Sequence, residues 1–541
     1  LFLLGANDGV LPAAENRGGV LRDEDREALE RQQIFLAPHG MKQFHLEIQN
    51  LYAALAQPTE KLTVSYPVSD GKGAEKRPSF VIGRIARLLP SISVETESAD
   101  KEYRLSAKST ALEYAGEHIG GALWQYFEGQ GDAERALAAM KDASRYTRGH
   151  LSRDAVHALY GGAVTLSASR MDMARSCHFA YFMRYGLKAR ERTGAGFDAP
   201  QIGTFVHDVM EHTLRQAKEC GGLHTLSKDK LHALVRASIE EYIDRVLPDL
   251  CEKSARFRYL FNRLCAAVER IMDEVSEELQ SSDFEPLAFE LAFGADGQLP
   301  AITIREENGT ARVVGKVDRV DGWLHDGKLY LRVVDYKTGK KSFDLAELRY
   351  GLGLQMLLYL FTLKEEGQML FGGHEIVPAG VLYTPAREPM LRCARDTEPE
   401  KIEKALKKEL RRSGMVLEDP AVLQAMEHSA LESPCYLPIA VKRDGAVTGS
   451  LASAEQLGKL SKYVDHILHE ITQEVFAGNI DADPYARTPQ QSACTYCEFA
   501  SACHFENGCG SDRMEYIKAT KNDEFWQYID EVNGEGAHEN G

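Results

Sequence analysis

The segment GKVDRVDG (315–322), a short turn, and then VVDYKTGK (333–340) constrain this 541-residue chain more than any other stretch. Alternation in both runs reads as two strands, and His325-Asp326-Gly327-Lys328 between them is a tight-turn signal. Side chains two apart on a strand share a face, so Asp335 and Lys337 point the same way. Asp318 can approach them from the antiparallel neighbour. Two carboxylates and a lysine so placed make a compact site for Mg²⁺, a hard cation that takes oxygen ligands and keeps several waters. The apolar run Leu331–Val334 makes Asp335 emerge at the end of a core strand. An isolated D-x-K is more often a hairpin salt bridge, so the surrounding residues must decide between the two readings.

Those residues lie at intervals along a long α/β region. Apolar positions at Ile202, Phe205, Val206, Val209 and Met210 predict an amphipathic helix that carries His207 four residues after Gly203. Two helices are expected at about 228–247 and 254–281, followed by strands PLAFELAF (286–293), ITIRE (302–306), ARVVGKVDRVD (311–321) and KLYLRVVDY (328–336). A single helix over about 344–366 would place Gln355 and Tyr359 one turn apart, and a strand over 376–383 follows. Upstream, residues 1–95 read as α/β, with strands at 2–4 and 61–70 and a charged helix around 22–36. Residues 96–165 read as a polar, glycine-broken helical connector. The run LFLLG, with neither Met nor cap before it, leads us to expect a piece of a longer protein.

This length exceeds what one core usually serves. An apolar run near 18 residues is missing, as is a basic-then-apolar leader, so we expect a cytoplasmic protein with no membrane span. The net charge of −17 disfavours a general nucleic-acid coat but says little about a local cleft. Six acids and one base in the last 21 residues predict a disordered acidic tail over 516–541.

In order, GTFVH (203–207), GKVDRVD (315–321), DYKTG (335–339) and QMLLY (355–359) resemble the motifs of the RecB-like family of PD-(D/E)XK nucleases. The resemblance implies His207, Asp318, Asp335 and the Tyr336 carbonyl as metal ligands and Lys337 as the catalytic lysine. It also implies that Gln355 and Tyr359 orient the site and the DNA strand. Glu290 is a further candidate, equally readable as a solvated strand residue.

Ten cysteines without a leader do not form a secreted disulfide framework. Cys494-x₂-Cys497-x₅-Cys503 could wrap a metal centre but is one ligand short of a tetrahedral set. Cys177 is our choice for the fourth, with Cys509 and His504 as local competitors. AddB-type subunits carry one Cys before the nuclease core and C-x₂-C-x₅-C after it, and the resemblance implies a [4Fe–4S] cluster on Cys177, Cys494, Cys497 and Cys503. Zinc is the alternative for such ligands. Around Cys177, Arg170, Arg175, Arg184, Lys188 and Arg190 interleave with Phe179, Tyr181, Phe182 and Tyr185. This pattern fits a single-strand DNA channel, or equally a helix with one solvated basic face.

LFLLGANDGVLP (1–12) and KLTVSYPVSDGKGAEKRPSFVIGRI (61–85) resemble segments near the end of a superfamily 1 motor domain in the same subunits. Tyr66 is not followed by the arginine of active motors, and no G-x-x-x-x-G-K-[ST] loop occurs in the chain. The fold class expected is therefore α/β: a helicase-like remnant (1–95), the connector (96–165), a restriction-endonuclease-like nuclease domain with an iron–sulfur staple (166–515), and the tail. The resemblance implies an exonuclease subunit that cuts unwound single-stranded DNA, the 5′-ended strand at a double-strand break, beside an AddA-like helicase partner in a heterodimer. A stand-alone Cas4-like iron–sulfur exonuclease and a non-catalytic DNA-scanning subunit are the rivals. The first has no need of residues 1–95, and the intact His/Asp/Asp/Lys set speaks against the second.

Overall fold

The computed structural model describes residues 1–541 apart from 14–20, 22, 35, 39, 70–74, 93, 95–103, 146, 192–198, 249–252, 295–296, 395–396, 489 and 540–541. By its internal contacts the chain divides into two units, Leu1–Arg145 and Tyr146–Gly541. In the first, short strands Phe2–Leu3 and Thr63–Val64 pair in parallel. The charged helix runs over Asp23–Arg31, and a second helix, Met41–Ala56, was not anticipated. The expected connector is not one piece. Trp124, Phe127 and Leu137 close a small core within the first unit. The strand Ala163–Leu166 pairs in parallel with Gly309–Val313 and so belongs to the second. Polar surface and glycines concealed both attachments.

After a short helix (Arg153–Tyr160) and the strand Ala163–Leu166, the second unit continues with helices α1 (Ala168–Ser176), α2 (Ala199–Glu219), α3 (Lys228–Val246) and α4 (Ala255–Gln280). Strands β1 (Glu285–Phe293), β2 (Gly315–His325) and β3 (Lys328–Lys337) follow, then α5 (Gln355–Glu366), β4 (Glu375–Pro385), β5 (Ser413–Leu417) and β6 (Leu451–Ala452). Helices α6 (Ala454–Phe476) and α7 (Asn522–Glu539) complete it. The six strands form one sheet in the order β6-β5-β4-β3-β2-β1. The β1–β2 and β2–β3 pairs are antiparallel, whereas β3 and β4 run parallel. Helix α5 is buried along most of its length, Met356–Leu363, which suits a helix enclosed in the core.

The β2–β3 turn is the one its residues demand. Asp326 and Gly327 adopt φ of 48° and 77°, the two positive angles of a type I′ turn that matches strand twist. It fixes a register in which Arg319 faces Val334 and Asp321 faces Arg332. Three expectations need correction. The run ARVVGKVDRVD is two strands, because Gly309–Val313 leaves the main sheet for a separate three-stranded one. The helix expected over 344–366 is two, Leu345–Arg349 and α5, since Gly351 and Gly353 take φ of 74° and 68°. The acidic tail is not disordered over α7: Phe525 and Ile529 are fully buried, and Asn533 donates to the Lys459 carbonyl on α6 at 3.1 Å. Its apolar residues recur at helical spacing, a signal that the surplus of acids obscured.

Behind the hairpin lies a lattice of buried charge. Arg319 makes a two-point contact with Asp321 (Nε–Oδ1 2.8 Å, Nη2–Oδ2 2.9 Å) and donates to the Tyr336 hydroxyl at 2.6 Å. Arg332 Nε donates to Asp321 Oδ2 at 2.8 Å, and its Nη2 stands 3.5 Å from Glu278 of α4. Arg412, just before β5, donates to the other Glu278 oxygen at 2.7 Å. Burial alone would raise the Glu278 carboxyl, but the Arg412, Arg332 and Arg319 guanidiniums hold it down at about 2. Removing one member leaves buried charge uncompensated, so we predict that Asp321→Ala lowers stability by about 3–5 kcal/mol. A urea unfolding midpoint that matches the wild type would refute this.

Candidate active site

The residues at the open end of the hairpin converge from four elements. One face of β2–β3 carries Asp318, Asp335 and Lys337, while the opposite face carries Arg319, Asp321, Arg332 and Tyr336. The Tyr336 N–H donates to Asp318 Oδ2 at 2.8 Å, which ties the first carboxylate to the second strand. The Lys337 ammonium pairs with the buried Asp335 Oδ2 at 2.6 Å. Helix α5 reaches the same carboxylate: Gln355 Nε2 lies 3.4 Å from Asp335 Oδ1 and 3.3 Å from the Tyr359 hydroxyl.

Helix α2 supplies His207. Its Nε2 donates to the Tyr336 carbonyl at 2.8 Å, and its Nδ1 stands 3.3 Å from Asp318 Oδ2. Both ring nitrogens therefore face oxygen acceptors. Burial would lower the ring's pKa, but the hydrogen bond and charge of Asp318, helped by Asp335, raise it above the ordinary value. Asp335 is pushed up to about 6, first by burial and then by the charge of Asp318, against the pull of Lys337. Asp318 and His207 supply donors that suit a divalent ion, and Asp335 is not part of that compact group.

Glu290 joins this set more firmly than its sequence context suggested. Its ligand atom lies within 4.8 Å of those of His207 and Asp318, the one such acidic or histidine cluster among the described residues. It falls on β1 between the pairs Phe289↔Arg319 and Leu291↔Val317, so Asp318 is its neighbour in register. Its φ of 50° is left-handed, a conformation that costs a non-glycine residue of order 1–3 kcal/mol and gathers at functional sites. Lys316 pairs with its carboxylate. The motif glycine Gly315 has a packing cause: a Cβ there would stand 2.5 Å from both the Phe293 and Tyr359 rings.

The cysteines follow a different pattern. Cys177 is buried at the end of α1, and Cys494, Cys497 and Cys503 are part-exposed. Burial pushes the Cys177 thiol up to about 12; burial and then the nearness of Cys497 and Cys503 push Cys494 up to about 11. A metal binding there would have to displace those protons. No three of the four sulfurs lie within 4.8 Å of one another. The two segments are joined by protein contacts: Arg148 pairs with Asp512 at 2.7 Å, donates to the Cys503 carbonyl at 2.8 Å and stacks on Phe179 at 4.4 Å. The Phe179 N–H donates to the Asp481 carbonyl at 2.9 Å, and His178 Nδ1 pairs with Asp483 at 2.7 Å.

The basic residues expected to line a DNA channel here are largely engaged elsewhere. Arg175 pairs with Glu470 and Glu474, Arg184 with Glu498 at 2.8 Å, and Arg170 stacks on Tyr185 at 4.7 Å.

Comparison with known proteins gives a consistent picture. Residues 165–504 match the PD-(D/E)XK nuclease superfamily. Over 98% of its length the chain is 31% identical to the B-type subunit of the ATP-dependent helicase/deoxyribonuclease of Ruminiclostridium cellulolyticum and covers 48% of that protein. It is 32% identical over 98% of its length to the protein of the same name from Acetivibrio thermocellus, again covering 48% of it. The corresponding protein of a Thermoanaerobacter species is 29% identical over 99% of the chain. The chain thus spans about half the length of the curated relatives it matches.

Because the Asp335 pKa is raised, between the ordinary carboxylate range and about 6 the folded protein holds a proton that the unfolded chain has released. Metal-free stability is therefore expected to fall as pH rises through that window, and Asp335→Asn should flatten the slope. Since a cation competes with that proton, thermal stabilisation by Mg²⁺ should be larger above pH of about 6 than below it. Differential scanning fluorimetry across pH, with and without Mg²⁺, tests both; a pH-independent Mg²⁺ effect would refute the assignment.

Proposed function

Because the chain belongs to the PD-(D/E)XK nuclease superfamily, a family of hydrolases, we propose that it cuts phosphodiester bonds of single-stranded DNA as the nuclease part of a helicase–nuclease. The observation that carries this reading is the meeting of Asp318, Asp335, Lys337 and His207 at one end of the β2–β3 hairpin, with the Lys337 ammonium 2.6 Å from a buried oxygen of Asp335.

His207, Asp318, Asp335 and the Tyr336 carbonyl would hold Mg²⁺, with Glu290 as a fifth contributor. When bound, the ion supplies Lewis-acid polarisation of the phosphate and a more acidic water. The remaining work belongs to the chain. Lys337, fixed against Asp335, sets a positive charge where negative charge grows on the phosphate oxygens, and its Nζ can position the attacking water. Gln355 holds Asp335 through Oδ1 and Tyr359 through its hydroxyl, so the two acid oxygens face different partners. Its hydrogen bonds are long, 3.3–3.4 Å, a looseness that catalytic groups often show without substrate.

The relatives named above are B-type subunits of ATP-dependent helicase/deoxyribonucleases. By analogy, this chain acts with an AddA-like helicase partner as a heterodimer in the cytoplasm. It trims the 5′-ended strand of a double-strand break, as an exonuclease, for recombinational repair. Cys177, Cys494, Cys497 and Cys503 would hold a [4Fe–4S] cluster that staples the ends of the nuclease fold.

End-labelled single strands should be degraded with Mg²⁺ and spared by chelation. Asp335→Ala and Lys337→Ala should each lose at least about 100-fold in rate, as expected when a group acting on the transition state is removed. Equal digestion by wild type and Asp335→Ala would sink the nuclease assignment. The purified protein should be brown and carry about four irons and four sulfides per chain, with the colour lost in Cys497→Ala. A colourless protein with one zinc per chain would overturn the cluster.

A further inference from the structure

Beside the metal-site residues the nuclease unit has an apolar cleft of about 420 Å³. Ile202 and Val206 of α2 form one wall, and Phe257, Leu260, Phe261 and Leu264 of α4 form the other. Thr338, the residue after Lys337, and Ala386 close its floor, and the Ala386 N–H donates to the Lys337 carbonyl at 2.9 Å. The cleft and the lysine therefore share the carboxyl ends of parallel strands β3 and β4, the edge at which α/β sheets take their ligands.

The start of α4 has a composition at odds with the rest of the chain. Residues 253–263, KSARFRYLFNR, carry four bases and no acid, in a protein with 81 acids against 64 bases. Arg256, Arg258 and Arg263 are exposed, and no ion pair ties them to another described residue. The arginines near Cys177 with the same interleaved pattern are, by contrast, held by glutamates or stacked. Tyr259 and Leu260 are 62% and 50% exposed between those arginines. Unpaired positive charge, aromatic and aliphatic surface, and a cleft opening beside the catalytic lysine coincide in one place.

We propose that this cleft seats the base next to the scissile phosphate of a single DNA strand, with Arg263 at its rim on the strand's phosphates. The inference rests on the nuclease reading above and adds to it a binding subsite. Apolar walls meet the flat face of a base rather than its hydrogen-bonding edge, so the subsite accepts any of the four bases and holds the strand in register for cleavage. A duplex, whose bases are stacked on one another, has no free base to offer.

The test measures binding by fluorescence anisotropy in the Lys337→Ala background, where turnover is removed, with an oligothymidylate and an abasic strand of equal length. The base-bearing strand is expected to bind at least about tenfold tighter, the factor that about 1.4 kcal/mol of stacking gives. Phe257→Ala should cut that preference to below about twofold and leave abasic affinity unchanged; Leu260→Asp, at an exposed site that tolerates charge, should cut the preference likewise while its added charge weakens both strands. Arg263→Gln should weaken both strands alike and reduce the salt slope by about 1. If the preference persists in both Leu260→Asp and Phe257→Ala, the subsite is refuted while the nuclease stands, and the cleft is left to a protein partner. A wild-type protein that neither binds nor digests any single strand overturns the nuclease reading, and this inference with it.

Discussion

The buried charges behind the β2–β3 hairpin are the constraint from which the site follows. Three guanidiniums and two carboxylates are sunk among β2, β3, α4 and the start of β5, with the Tyr336 hydroxyl on one of the guanidiniums. Such a lattice is a poor source of net stability, because desolvation takes back much of what the ion pairs give. What it provides is register. In a strand pair, a slip of one residue turns every side chain to the other face. Here it would send Arg319 and Asp321 out and bury Asp318 without a partner, at a cost of several kcal/mol per stranded charge. The register that satisfies the arginines is also the one that sets Asp318 beside Asp335. Tyr336 links the two faces: its hydroxyl meets Arg319, while its N–H and carbonyl meet Asp318 and His207.

Much of this hairpin could be read from the residues alone, because alternation, the Asp-Gly turn and the D-x-K spacing all follow a period of two. Gln355 and Tyr359 were legible for the matching reason at helical period, even though the helix carrying them begins well after the expected start. Glu290 was harder to read. Its carboxylate reaches the cluster through a left-handed backbone, and no strand pattern announces a non-glycine residue at φ of 50°. The buried partners of the motif, Glu278 and Arg412, lie 41 and 91 residues from Arg319 and Asp321, and only the packing of α4 and β5 against the sheet brings them in.

Charge patterns misled in two directions, and for one cause. Composition records which charges a segment carries but not whether they are already neutralised. The segment around Cys177 fitted a strand-binding face and a solvated basic face equally, yet Arg175 and Arg184 meet Glu470, Glu474 and Glu498, almost three hundred residues or more away. The tail looked too acidic to fold, yet Lys459 pairs with Asp530 while Phe525, Trp526 and Ile529 pack inward. On α4, by contrast, a short basic run among exposed apolar side chains passed without notice because it sits inside an ordinary amphipathic helix.

The cysteine segments show how far closure of the nuclease unit is made by protein contacts. The His178 N–H to Asp483 hydrogen bond spans 305 residues, and the Arg148–Asp512 pair spans 364. Loop-closure entropy grows only slowly with length, about 0.6 kcal/mol per doubling, so these few contacts carry most of the closure that a staple would provide. A metal centre at Cys177 and the C-terminal cysteines would therefore add less to the topology than to the strength of a seam already closed. Its free energy would enter as binding coupled to folding, since the raised thiols must give up protons to take it. That seam also bears on the catalytic helix. Asp172, five residues before Cys177 on α1, accepts the Gly353 N–H at 2.9 Å, just ahead of Gln355. Arg175 on the same helix packs against Gly351 so closely that a Cβ there would stand 3.0 Å from its Nε. The helix that ends in Cys177 thus grips the turn that launches Gln355, and whatever firms the seam also firms the position of Asp335's partner.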